Sequence, residues 1–339
     1  MSAGPASVTA VAGTNIALVK YWGKRDVALN LPATGSLSLT LDRLGTRTTV
    51  VFDDGERDRL ILDGAPAGDA ETARVSAFLD RVRARAEIAR RALVTTDNSV
   101  PTAAGLASSA SGFAALALAA ARAAGLALSP AELSALARVG SGSAARSIFG
   151  GFVEMARGER PDGSDAVAHA LPGQGPDQGS NNASWDVRLV IAITASGPKA
   201  IGSTAAMTHT ARTSPYYEAW VAAVPADLAA ARAAIAARDL AALGVVAERS
   251  ALRMHAAAMA ADPAIIYWNA ATLSAIAAVR ALRARGTDAF VTIDAGPHVK
   301  ALCRAADADA VAAALRAVPG VSETLIAAPG PGARVVEGA

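Results

Sequence analysis

A single cysteine, Cys303, stands in the whole chain. No internal disulfide can form, and with only 4 histidines beside it no Cys/His zinc pattern arises. Cys303 therefore reads as a small core residue. Aromatic residues are scarce, at 4%, and no basic tract is interleaved with them, which argues against nucleic acid as a partner. Neither sign of charge dominates, since 32 basic against 30 acidic residues leave +2. That balance leaves a local cluster free to bind a small anion. Residues 1–10 lack a basic start followed by an apolar run, so no secretory leader is expected. The apolar run 113–124 contains Arg122 and falls short of the ~20 residues that a bilayer span needs. The expectation is a cytoplasmic protein with no membrane partner.

What the chain has in quantity is small apolar residues. Hydrophobic residues make up 52%, much of it alanine, which suits helix-rich cores packed from small side chains. A length of 339 residues is enough for two domains. A shift to Gly, Asp, Gln and Asn over 161–183 suggests a boundary, dividing the chain into 1–183 and 184–339.

Residues 8–20 read as a strand that ends in Lys20, Tyr21, Trp22, Gly23, Lys24 and Arg25, three cations beside two aromatics. Such a cluster is either a solvated strand end or a site that neutralises several phosphate or carboxylate charges. In 36–41, leucines alternate with Ser36, Ser38 and Thr40, the pattern of a half-buried strand. Segments 46–52 and 59–62 read as two more strands, and 69–91 as a helix whose arginines form a solvated face.

The most informative stretch runs from Asn98 through Pro101, Ala104, Gly105, Leu106 and Ala107 to Ser108 and Ser109. A predicted strand (92–96) leads into it, and a predicted helix (113–124, closed by Gly125) leaves it. Free amide N–H groups at a helix start carry partial positive charge, and small residues let a phosphate reach them. The alternative is a plain loop capped by serine. It is not a Walker-type loop, because it contains no lysine.

Further on, Ser129, Pro130 and Glu132 form a capping box that starts a helix to about 139. Arg146 follows, alone among Ser141, Gly142, Ser143 and Ser147. It must either reach solvent or hold an anion with its planar fork. Strands are expected at 150–156 and 185–195, a Ser/Thr/Gly segment with Ser203 and Thr204 at 199–214, and helices at 215–237, 240–261 and 267–285. His255, on an alanine-rich face, reads as a core histidine. The apolar strand 290–293 ends in Asp294, Ala295, Gly296 and Pro297, which would aim a carboxylate into a cleft; an ordinary turn is the alternative. Strand, helix and strand are expected over 298–329.

Pro101, Gly105, Leu106, Ser108 and Ser109 resemble the P-x-x-x-G-L-x-S-S motif of the GHMP kinase superfamily. Within it, Pro101 to Ser109, Asn15 to Lys24, Gly140 to Ser147 and Thr292 to Pro297 are similar to four motifs of the diphosphomevalonate decarboxylase family, in the family's order. The resemblance implies an α+β, two-domain GHMP kinase fold. Its N-terminal part would be ribosomal protein S5 domain 2-like and its C-terminal part ferredoxin-like. It implies ATP- and Mg²⁺-dependent conversion of mevalonate 5-diphosphate to isopentenyl diphosphate, commonly by a homodimer. Carried over by position, Asp294, Lys20, Arg146 and Ser108 are the catalytic residues. Tyr21, Lys24, Ser141, Ser143, Arg146, Ser203 and Thr204 bind substrate. Asn98, Pro101, Ala104, Gly105, Leu106, Ala107, Ser108 and Ser109 bind ATP, with Ser108 on Mg²⁺. Arg146 holds the substrate carboxylate, and Thr204 offers a hydroxyl where some bacterial members carry an arginine.

Three alternatives remain at this level: a mevalonate 5-phosphate decarboxylase, a mevalonate 3-kinase that stops after phosphorylation, and a GHMP-fold sensor without chemistry. The implied role of Asp294 makes a first prediction. Asp294→Asn is expected to abolish ADP release while ATP still binds, as read by a coupled assay beside equilibrium nucleotide binding; full activity in the variant would refute the role.

Overall fold

The computed structural model describes residues 7–99, 108–172, 185–197 and 199–336, without the side chain of Ser108. Two antiparallel-dominated sheets organise them. The first is built on β1 (Ser7–Val19) and β4 (Ser36–Asp53), which pair along most of their length. Its order is β14 (Arg334–Val336), β1, β4, β7 (Arg91–Asn98), β5 (Arg59–Leu62), β6 (Ala65–Pro66). Two further strands, β8 (Phe152–Met155) and β9 (Ala168–Ala170), extend from the start of β4. Between β1 and β4 in sequence lies a small ribbon, β2 (Lys24–Asp26) with β3 (Leu31–Pro32). Helices α1 (Asp69–Ala86), α2 (Ser108–Ala123) and α3 (Pro130–Gly140) cover one face of the main sheet. The capping box at Ser129 and Glu132 is present as expected.

The second sheet has the order β11 (Ala289–Ile293), β12 (Val299–Arg304), β10 (Val187–Ile193), β13 (Glu323–Ala327). Helices α8 (Ala270–Ala284) and α9 (Ala308–Arg316) pack on one of its faces. On the other lie α6 (Tyr217–Ala237) and α7 (Leu240–Met259), which also meet the end of β1. One apolar cluster runs from Ile16 and Leu18 of β1 through Trp220 and Val246 to Leu189 and Ile191 of β10. The two sheets therefore share a core, and the ends of β1 and β11 face the same space. Cys303 is buried in the helix-covered core, where burial pushes its thiol up to about 12.

Several sequence expectations change. Segments 36–41 and 46–52 are one strand, β4, and its first part is buried on both faces; Ser36, Ser38 and Thr40 are all fully buried. Their alternation marks a polar interior, because these hydroxyls meet Arg146 and the carbonyl of Phe149 rather than water. Helix α1 stops at Ala86, where Glu87 turns left-handed, and Arg91 already opens β7. Its arginines are not all solvated, since Arg83 is buried against Asp58 at 2.9 Å. The serine stretch before 113 is the first turn of α2, so the helix begins at Ser108. The segment 203–213 is helical, as α5 (Ser203–Thr213).

At 21 residues α6, and not the run 113–124, is long and apolar enough to cross a bilayer by length and composition. Here its apolar side is packed into the shared core through Trp220, Val224 and Ile235. Its polar side is tied down by Asp227 to Arg249 at 2.7 Å and by Arg232 to Glu154 at 2.7 Å.

Helix α7 reaches β11 closely because residue 244 is glycine; a Cβ there would lie 2.1 Å from the Phe290 ring. Next to it, Glu248 joins α7, α8 and β11. It accepts from Arg280 at 2.9 Å, Arg283 at 2.9 Å and the Val291 N–H at 3.3 Å. Removing this carboxylate leaves a buried backbone N–H unpaired and two guanidinium groups without their anion. Glu248→Ala is expected to lower stability by about 2 kcal/mol, seen as a lower urea midpoint with an unchanged slope.

Candidate active site

A cleft of about 410 Å³ opens where β1 and β11 end. Its floor is Asp294, delivered by the last residue pairs of β11 and β12 and turned inward by Gly296 and Pro297. The Lys20 ammonium donates to Asp294 Oδ1 at 2.6 Å, and the Lys300 ammonium lies 3.1 Å from Oδ2. Both lysine side chains are nearly inaccessible (2% and 5%), whereas 30% of the Asp294 side chain is open to the cleft. Burial opposes charge on Asp294, but the two cations win and hold its carboxyl well below the usual carboxylate range. For Lys20 the balance runs the other way. Burial lowers it to about 8 despite Asp294, and Lys300 and Arg146 add to the lowering.

Lys20 is fixed by its surroundings as well as by its charge. Its ammonium donates to the Ala17 carbonyl at 2.7 Å, and its backbone N–H donates to Ser250 Oγ on α7 at 3.0 Å. The neighbouring Trp22 is fully buried and anchors this end of β1.

Arg146, on the single-turn α4 (Ala144–Ser147), is 2% exposed and meets no carboxylate within ion-pair distance among the described residues. Instead it donates to neutral acceptors: Ser36 Oγ at 2.6 Å, Ser38 Oγ at 3.0 Å and Asn15 Oδ1 at 3.1 Å. Asn15 is itself oriented by donating to Ser147 Oγ at 2.7 Å and the Ser143 carbonyl at 3.0 Å. Burial lowers the guanidinium to about 10, so it stays charged at neutral pH. Neutral ligands hold the fork in place without cancelling its charge, which leaves that charge for an anion in the cleft.

The far wall is also basic. Lys24 donates to Thr204 Oγ1 at 3.1 Å, and Lys199 to Ser203 Oγ at 3.3 Å, both hydroxyls standing at the start of α5. Burial lowers both lysines. The Tyr21 hydroxyl is buried in the lining with no hydrogen-bond partner among the described residues, and burial raises it. It sits so close to residue 142 that a Cβ there would approach it to 2.2 Å, which explains the glycine. Ser109, Ser141 and Ser143 follow as a run of hydroxyls spaced 3.4 Å apart, with Arg74 beyond them over the Phe113 ring.

One cleft thus gathers Lys20, Tyr21, Lys24, Ser109, Ser141, Ser143, Arg146, Ser203, Thr204 and Asp294. Asn98 stands apart at the end of β7. Its side chain is engaged by Thr46 at 2.9 Å and by Asp63, and it lines a separate groove. Pro101, Ala104, Gly105, Leu106 and Ala107 lie outside the described residues, as does the side chain of Ser108. His255 is a core residue, packed on Trp268 with ring centroids 4.9 Å apart, and burial pushes it down to about 3.

Sequence reasoning missed Lys300, Lys199 and Arg74. Lys300 carried a signal, being the one cation among the apolar residues of 299–303. Lys199 carried a weaker one, three residues before Gly202 and Ser203. Arg74 carried none, because nothing separates it by pattern from the solvated arginines of α1.

Comparison with known proteins agrees with this geometry. The diphosphomevalonate decarboxylase-like N-terminal domain matches residues 12–168, and the mevalonate 5-diphosphate decarboxylase C-terminal domain matches 189–328. The chain is 36% identical to a diphosphomevalonate decarboxylase of Aspergillus fumigatus, covering 92% of this chain and 80% of that protein. To the human diphosphomevalonate decarboxylase it is 37% identical, covering 86% and 76%. A crystal structure of mevalonate diphosphate decarboxylase from Staphylococcus aureus superposes with a TM-score of 0.91 at 38% identity, covering 98% of both chains. A structure described as MDDEF in complex with MVAPP, AMPPCP and magnesium has a TM-score of 0.90 at 41% identity, covering 98% and 99%. With this site carried on this two-sheet GHMP kinase fold, the chain belongs to the diphosphomevalonate decarboxylase family.

Proposed function

We propose that the cleft converts mevalonate 5-diphosphate and ATP to isopentenyl diphosphate, ADP, phosphate and CO₂. The observation that carries this reading is its charge composition. Lys20, Lys24, Arg74, Arg146, Lys199 and Lys300 line it against one carboxylate, Asp294. Only ligands bearing several negative charges balance such a surface. A diphosphate, a carboxylate and a nucleotide triphosphate supply them.

The division of labour is taken from the family motifs, and the geometry of the cleft supports it for the described residues. Arg146, charged and held by neutral acceptors, takes the substrate carboxylate. Tyr21, Lys24, Ser141, Ser143, Ser203 and Thr204 hold the diphosphate end. Ser109, with Pro101, Ala104, Gly105, Leu106, Ala107 and Ser108, is assigned the nucleotide side by the family motif, while Asn98 stays with its separate groove. Asp294 accepts a hydrogen bond from the tertiary hydroxyl at C3 and aims its oxygen at the γ-phosphorus. So strongly acidic a carboxyl is a weak base, so the hydroxyl proton moves late, as suits a loose phosphoryl-transfer transition state. The new O–P bond forms as the bond to ADP breaks. The C3–O bond then breaks with departure of phosphate. The electron pair of the bond between C2 and the carboxylate becomes the C2–C3 double bond, and CO₂ leaves.

Among the described residues no three His, Cys, Asp or Glu side chains gather into a metal site. The cleft's lining offers hydroxyls and one carboxylate already engaged by two lysines, a donor set that suits Mg²⁺ arriving on nucleotide phosphates. Ser108 is its proposed protein ligand, and the ion supplies neutralisation of phosphate charge. The chain divides near 183, and the enzyme acts as a cytoplasmic homodimer, in keeping with the family.

Two measurements test this. A coupled assay of ADP and CO₂ release compares mevalonate 5-diphosphate, mevalonate 5-phosphate and mevalonate. Equal release from the diphosphate alone is expected. ADP without CO₂ would indicate a 3-kinase, preference for the monophosphate the neighbouring decarboxylase, and ATP binding without turnover a sensor. The second is a pH profile. Lys20 is protonated below about 8 and neutral above it. As pH rises through that value, Asp294 loses the positive charge on its Oδ1 partner, so kcat/KM should fall along an alkaline limb near pH 8. A profile flat to pH 10 would refute the assignment.

A further inference from the structure

We propose that Lys300 is a positioning residue of this reaction, clamping the second oxygen of Asp294 so that the carboxylate keeps one orientation toward the C3 hydroxyl. The proposal rests on the reading of the cleft given above and adds to it a residue and a role.

A carboxylate on a short side chain turns freely about its last bond unless both oxygens are held. Lys20 holds Oδ1 at 2.6 Å from the end of β1, in the first sheet. Lys300 approaches Oδ2 at 3.1 Å from β12, in the second. The two ammonium groups arrive from different elements and are both buried, so neither can follow Asp294 if it rotates. The backbone of Lys300 is fixed between Thr292 on β11 and Ile191 on β10. Its ammonium also reaches the His298 carbonyl at 3.4 Å. Together they leave the open side of the carboxylate facing the cleft.

Charge counting shows that Lys300 is not needed merely to neutralise Asp294. Lys20 already forms a one-to-one pair with it. Lys300 is the excess cation, and a buried excess cation is kept at a cost. The ionisable groups around this cluster are Lys20 and Tyr21 at the end of β1, Arg146 on α4, Lys199 ahead of α5, His255 on α7 and His298 between β11 and β12. Among the described residues of this cluster Asp294 is the only carboxylate. Burial lowers Lys20 most, and the excess charge of Lys300 adds to that lowering, so Lys300 also shifts where the alkaline limb falls.

The test compares Lys300→Met with wild type on mevalonate 5-diphosphate and ATP. Failure of the wild type to turn over would overturn the functional reading itself and, with it, this role. Given turnover, Lys300→Met is expected to lose kcat on the order of 10- to 100-fold, with KM for ATP little changed. Its alkaline limb should move up by roughly one pH unit, because a neighbouring cation has gone. A kcat within about twofold of wild type, or an unmoved limb, would each overturn the role. Lys300→Gln, which keeps a polar group in the buried position, stands in if the Met variant fails to fold. Loss of fold in both would assign Lys300 to the structure and not to the reaction.

Discussion

Like charges packed into a low-dielectric cleft repel, and six cations around one carboxylate would not share a pocket unless something held them. The pair of Lys20 with Asp294, 274 residues apart in sequence, is that hold. It bridges the end of the first sheet to the end of the second, at the point where their cores merge. Each partner is rigid for its own reasons. Lys20 is pinned by Ser250, by the Ala17 carbonyl and by the buried Trp22 beside it. Asp294 is placed by an edge strand whose outer side is locked to α7 and α8 through Glu248. The packing of alanine-rich helices thus ends in the position of one carboxylate.

Arg146 illustrates a second way to keep a buried charge. An ion pair would stabilise it locally but would remove the positive potential from the cleft. Ser36, Ser38 and Asn15 satisfy its donors with neutral oxygens and preserve its charge. This is why the first part of β4 alternates leucine with hydroxyl residues although no face of it meets water.

Many of the residues that gather in the cleft were legible in the sequence because they break local patterns. Asp294 ends an apolar strand, Arg146 stands alone among serines, and Lys20 and Lys24 crowd a strand end. Element types were mostly legible too, since capping at Ser129 and the stop at Gly286 are local signals. What could not be read is what depends on a distant partner. The burial of Ser36 and Ser38 is set by an arginine more than a hundred positions away. Arg74 and Arg83 look alike on one helix, yet one lines the cleft and the other is sunk against Asp58. The early start of α2 brings Ser111 against Thr46, a pairing between strand and helix that periodicity does not record.

The surplus of positive charge has a consequence outside the reaction. Anionic ligands relieve repulsion that the folded chain otherwise bears alone, and anything that binds the folded state and not the unfolded one raises stability by mass action. The enzyme's resistance to unfolding, and hence to degradation, is therefore coupled to the supply of its own substrates. A cell starved of them holds a more perishable catalyst than one that is well fed.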